Sequence, residues 1–174
     1  MTVQKLITVP DEILRKKSKP IEKVSSNEKK LIKDLIETMY HHKGIGLAAI
    51  QVGIPKRIIV LDVQQKGEIK KPLCFINPVI KNISKEKSRY EEGCLSIPNT
   101  FIDIERPKTC NVEFIDIDGK KKNMECDGLL STCIQHEINH LDGKLIIDFL
   151  SKLKKDLIIK KLSKTKQNSD RIVV

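Results

Sequence analysis

The chain has no tryptophan, and only two tyrosines and four phenylalanines among its 174 residues. Aromatics at 3% leave too few flat rings for base stacking to be the main mode of nucleic-acid binding, and no sequence-specific nucleic-acid partner is expected. No apolar run is long enough to cross a membrane, and the opening Met1-Thr2-Val3-Gln4-Lys5 has no apolar signal core. The expected compartment is the cytoplasm. The five cysteines form no CxxC and no paired spacing, which argues against a disulfide framework or a structural zinc ribbon and suits a reducing compartment. What is present suffices for one globular domain, with 39% hydrophobic residues and 33 Lys+Arg against 23 Asp+Glu for a net charge of +10.

Histidines are also few, four in all, yet two of them fall in the window His136-Glu137-Ile138-Asn139-His140. On a helix, residues four apart lie on one face, so these two imidazoles can point at one metal ion. Glu137 then flanks the ion without ligating it and can carry a proton from an activated water, the division of labour of the His-Glu-x-x-His signature. Two solvated surface histidines would be the bland alternative.

A catalytic site of this kind generally keeps three protein ligands. A metzincin would place a third histidine six residues after the second, where this chain has Ile146, and a thermolysin-like protease needs a downstream glutamate, of which none follows Glu137. Of the downstream aspartates, Asp142, Asp148 and Asp156 fall on a turn, an expected strand and a basic tail. The third ligand is therefore sought upstream. Cys94 is the best candidate, because in Glu92-Gly93-Cys94-Leu95-Ser96 it alone of the cysteines has a glycine-flanked, polar setting. Cys74, Cys110, Cys126 and Cys133 fall in apolar or alternating segments and read as small buried residues.

Three segments together resemble the motifs of bacterial peptide deformylases: Gly44-Ile45-Gly46-Leu47-Ala48-Ala49-Ile50-Gln51, Glu92-Gly93-Cys94-Leu95-Ser96 and Gln135-His136-Glu137-Ile138-Asn139-His140-Leu141-Asp142-Gly143. The resemblance runs from the N-terminus to about residue 150. It implies removal of the formyl group from the N-terminal formylmethionine of nascent polypeptides, with release of formate. It implies one divalent metal on Cys94, His136 and His140, Fe(II) in cells, with Zn, Ni or Co as alternatives that the same ligands accept. Glu137 would be the proton carrier, and the Gln51 amide with the backbone N–H of Leu95 would stabilise the oxyanion. Gly46 would meet the substrate main chain. Leu129, Thr132 and Cys133 share the helix face of His136 and, with Ile45, would hold the methionine side chain; ordinary core packing is the competing reading for each. The third motif departs from the family at Asn139, where aspartate is usual, so that a partnership with Arg106 is expected as a neutral hydrogen bond in place of an ion pair. A metallopeptidase, a hydrolase of another N-acylated substrate and a non-enzymatic basic ribosome- or RNA-binding module are the other readings.

The first motif also satisfies G-x-G-x-x-A, but a dinucleotide fingerprint needs a strand before it. Here Asn27 to His42 is expected to be helical, with Leu31, Ile32, Leu35, Ile36 and Met39 on one face, a Ser25/Glu28 capping box and Gly44 as the stop. His41 and His42 in its last turn are given no metal role. Strands are expected at Arg57–Val63, Leu73–Ile83, Lys87–Cys94, Phe101–Ile104, Cys110–Ile117 and Lys121–Cys126, a short helix at Asp11–Lys17 and the ligand helix at Gly128–Leu141. The layout is α+β, antiparallel sheets packed around a central metal-binding helix, with a C-terminal amphipathic helix. Residues 1–150 form the catalytic domain. Residues 151–174 form a basic extension with Leu150, Leu153, Leu157, Ile158 and Leu162 at helical spacing and a frayed tail after Ser163. Its basic face suits a contact with ribosomal RNA.

Overall fold

The computed structural model describes residues 2–64 and 69–169. Helix α1 (Ser26–His41) is followed by strands β1 (Gly46–Ala48), β2 (Ile58–Leu61), β3 (Leu73–Ile83), β4 (Lys87–Cys94), β5 (Ile97–Pro107), β6 (Cys110–Ile115) and β7 (Lys121–Cys126), then by helices α2 (Gly128–Leu141) and α3 (Lys152–Ser169). The layout is the α+β one expected from the sequence. No helix among the described residues is long and apolar enough to cross a membrane.

Capping starts α1 as the sequence indicates: Ser25 accepts from Asn27, and the Glu28 carboxylate accepts from the Ser25 backbone N–H. Its buried stripe of Ile32, Leu35 and Met39 packs on Leu47, Ile58 and Val60, each large side chain contributing about 1.5–3 kcal/mol. The helix ends one residue earlier than expected in its geometry. Lys43 takes the left-handed φ of 56°, and the Gly44 N–H closes on the Met39 carbonyl at 2.9 Å.

Two sheets result, a five-stranded one in the order β1-β2-β3-β6-β7 and the two-stranded β4-β5, and every pairing between these strands is antiparallel. Helix α2 lies between them, against β1 and β2 on one side and β5 on the other. Ile134, Ile138 and Leu141 on α2 pack into one cluster with Ile59, Leu61, Phe75, Val112 and Phe114. The ligand helix is thus the centre of the molecule.

Several expected elements change shape. The run to Gln51, to which the sequence reading assigned no element, is divided: β1 stops at Ala48, and Ala49–Val52 is a 3-10 turn closed by Gly53 at φ 84°. The short N-terminal helix is a 3-10 turn, Glu12–Arg15, capped by Asp11. Asp148, expected on a strand, sits in a further 3-10 turn (Ile146–Phe149), where its carboxylate accepts from Leu145 N–H, Arg15 and Lys155. The extension is helical through Ser169, beyond the expected limit of order at Ser163; the last part of the expected frayed tail, 170–174, lies outside the described residues. Its apolar face is also narrower than expected. Ile158, Ile159 and Leu162 pack with Leu150 on the third core cluster, whereas Leu153 and Leu157 are 72% and 59% exposed.

Candidate active site

Helix α2 presents His136 and His140 one turn apart, with Nε2 atoms 3.2 Å from each other. Strand β4 ends at Cys94, whose Sγ lies 3.2 Å from His140 Nε2. All three donor atoms fall within 4.8 Å of one another. Atoms that ligate one ion tetrahedrally at about 2.0–2.3 Å sit about 3–4 Å apart, so the cluster fits a divalent cation, and a thiolate with two imidazoles is a donor set for zinc or a neighbouring transition metal. His140 Nδ1 and Glu137 Oε2 are buried without a hydrogen-bond partner.

Burial and charge divide the two imidazoles. At His136, burial opposes the imidazolium, but the Cys94 sulfur and the Glu92 carboxylate outweigh it and hold the pKa up at about 10. At His140, burial and then the positive His136 push the pKa well below the usual value. Burial pushes the Glu137 carboxyl up to about 7, so that it can both take and release a proton near neutrality.

Glycine at 46 is what admits Glu137. A Cβ there would stand 2.5 Å from Glu137 Oε1 and 2.9 Å from Leu61 Cδ2, closer than any side chain tolerates. Gln51, on its 3-10 turn, is held by Ala48 N–H donating to Oε1 at 2.8 Å, while Nε2 donates to Ser96 Oγ at 3.1 Å and faces Cys94 Sγ at 3.8 Å. The last contact is long, so that N–H can be given to a better acceptor.

A cleft of about 570 Å³ opens beside the cluster, lined by Ile45, Gly46, Gln51, Cys94, Leu95, Leu129, Thr132, Cys133, His136 and Glu137 among others. Ile45 and Leu129 are each 42% exposed at its mouth, and Phe101 at 67% is a third apolar wall. His42 also lines the cleft, while its ring meets His41 edge-on at 4.9 Å. Asn139 and Arg106 do not line it. They lie behind the cluster, where Arg106 Nη1 donates to Asn139 Oδ1 at 2.8 Å.

Glu92 is the functional residue that the sequence reading passed over. Its carboxylate accepts from Arg106 Nε and Nη2 at 2.5 and 2.9 Å, and its Oε2 lies 2.8 Å from His136 Nδ1. Burial would raise its pKa, but His136 and Arg106 hold it below the usual range. This carboxylate fixes the imidazole so that Nε2 faces the cluster. Arg106 thus has its ion pair after all, with Glu92 in place of residue 139. The signal was available: in a strand, alternate residues share a face, which puts Glu92 beside Cys94.

Comparison with known proteins agrees with this geometry. The family model for polypeptide deformylase matches residues 3–156. The peptide deformylase of Pelagibacter ubique is 56% identical over 174 residues, covering 100% of both chains. The crystal structure of peptide deformylase from Ehrlichia chaffeensis superposes with a TM-score of 0.92 at 40% identity, covering 97% of this chain and 99% of that one. The structure of that organism's enzyme in complex with actinonin gives 0.90 at 43% identity, covering 95% and 98%. With the cluster, the buried carboxylate and the cleft all in place, the chain belongs to the polypeptide deformylase family.

Proposed function

We propose that this chain carries out the family's hydrolysis, releasing formate from the N-terminal formylmethionine of nascent polypeptides, with the division of labour that follows. Cys94, His136 and His140 hold one divalent cation, Fe(II) in cells, with Zn, Ni or Co also accepted by this donor set. When bound, the cation supplies Lewis acidity to water and to the formyl carbonyl. The observation that carries the reading is the Glu137 carboxyl, buried beside the donor cluster with Oε2 unpartnered and its pKa near 7. Glu137 takes the proton from the attacking water and returns it to the departing amine. Gln51 Nε2 and the Leu95 N–H donate to the oxygen on which negative charge develops. Gly46 offers its backbone to the substrate main chain, and Ile45, Leu129, Thr132 and Cys133 receive the methionine side chain, an unbranched thioether that adapts to an apolar slot. Glu92 orients His136, and Arg106 with Asn139 holds Glu92 in turn.

Residues 1–150 form the catalytic domain and 151–174 the extension, which works in the cytoplasm against the ribosome through its lysines. A chain truncated after residue 150 that bound ribosomes as tightly as the full chain at fixed salt would remove that contact. For the chemistry, formate release from an N-formyl-Met peptide is measured with protein loaded anaerobically with Fe(II) or Ni(II). Release that depends on the metal and falls at least about 10²-fold in Glu137→Gln is the expected result. Equal release by the variant at equal metal content would overturn the role of Glu137.

A further inference from the structure

Two cysteines outside the cleft face each other. We propose that Cys110 and Cys126 form a reversible intrachain disulfide, a redox modification site separate from the metal-ligating cluster. Cys110 opens β6 and Cys126 closes β7, and the two are direct ladder partners. Residues so opposed have Cα atoms about 4.5–5.5 Å apart and side chains on one face of the sheet, inside the roughly 4.4–6.8 Å that a disulfide spans. Their spacing along the chain hides this, because the hairpin brings together residues that no CxxC pattern would reveal.

The surroundings assign each sulfur a role. Ser131 Oγ donates to Cys110 Sγ at 3.6 Å, and Cys126 Sγ lies 3.8 Å from the Met124 carbonyl. The neighbouring Cys126 sulfur and the Ser131 hydroxyl lower the Cys110 pKa although burial opposes this, and Cys126 moves up. A hydroxyl donated to its sulfur favours the thiolate at Cys110, whereas Cys126 faces a carbonyl that favours its thiol, so Cys110 is the nucleophile and Cys126 the resolving thiol. Cys74, by contrast, is pushed up to about 12 by burial and faces Val60 across its ladder. Both sulfurs are buried, but β7 is the edge of the sheet and pairs with β6 alone. The chain leaves Cys126 through Asp127, whose side chain makes no cap bond, and Gly128, at φ 50° with open space where a Cβ would stand. A short opening of that end admits an oxidant close to water in size.

With hydrogen peroxide the balance is as follows. The Cys110 thiolate attacks one peroxide oxygen, the O–O bond breaks, and the hydroxide released takes the thiol proton to become water. The Cys126 sulfur then attacks the Cys110 sulfenic acid, the S–O bond breaks, and the Cys126 proton leaves with that oxygen as a second water. Two thiols lose two electrons and the peroxide gains them.

The test treats the metal-loaded full chain with hydrogen peroxide, alkylates free thiols in denaturant, and maps peptides without reduction. The expected result is a peptide pair linked through Cys110 and Cys126, with both alkylated forms lost together and restored by dithiothreitol. In Cys126→Ala, Cys110 is expected to accumulate as a sulfenic acid trapped by dimedone. Recovery of both residues as alkylated thiols while other cysteines oxidise would overturn the proposal. So would linkage of either cysteine to a different one, and if Cys126→Ala fails to fold, the wild-type map alone decides.

Discussion

Replacing Gly46 with alanine should separate the placement of Glu137 from its presence. The added methyl would lie 2.5 Å from Glu137 Oε1, where real side chains essentially never come within 3.0 Å and ordinary contact begins at 3.4 Å, so the carboxylate must retreat by roughly 0.5–0.9 Å. Leu61 Cδ2 at 2.9 Å and the buried strand β2, on which β1 is paired, restrict any retreat of the backbone instead. A misplacement of about 1 Å at a reacting group can cost about 10²-fold in rate, and the overpacking itself costs about 1–3 kcal/mol of stability. We therefore expect Gly46→Ala to fold, to keep its metal, and to lose about 10²-fold in kcat/KM for formate release from an N-formyl-Met peptide. Thermal unfolding and metal content, measured on the same preparation, distinguish a displaced carboxylate from a damaged protein. A variant with normal metal content and kcat/KM within twofold of the parent would refute the close approach as the reason for glycine.

Glu92→Gln removes the charge that orients His136 and pairs Arg106; a metal affinity lower by about 10–100-fold in chelator competition is expected, and unchanged affinity would count against its positioning role. Asn139→Asp should retain metal longer, by about 10-fold against the same chelator, because its oxygen at 2.8 Å from Arg106 Nη1 would become charged. Equal retention would sink that idea. Glu28 has its pKa held down at about 2 by Lys56 and Ser25, against 4.5 for the free side chain. Its contribution to stability is present above pH 4.5 and lost as pH falls towards 2, so the stability gap between the parent and Glu28→Gln should shrink over that window in urea titrations. A gap that stays constant would show that the ion pair at 2.6 Å adds nothing.

Local rules with short reach made much of this legible in the sequence. The capping box at Ser25 and the helical pair His136/His140 each depend on three or four residues, and they stand as read. Period-two patterning placed β3, β4 and β7 at their observed ends. What the sequence hid depends on tertiary partners. Gln51 Nε2 donates to the Ser96 hydroxyl from a distant part of the chain, a contact that no pattern of apolar residues encodes. The face of α3 that is buried is the one whose Ile158, Ile159 and Leu162 meet a core cluster built from other parts of the chain. Glu92 meets Arg106 from the neighbouring strand and His136 from α2, so its place beside Cys94 is legible but its two partners are not until strand and helix are docked.

The two sheets share no strand pairing among the described residues. At the cleft they are bridged by side chains: Glu92 and Cys94 reach from the smaller sheet to His136 and His140, on the helix seated against the larger one. The donor cluster is thus also a rivet through a seam. Whatever ion it takes adds cohesion by mass action as well as chemistry, so emptying the site and loosening the β4–β5 hairpin are two descriptions of one equilibrium.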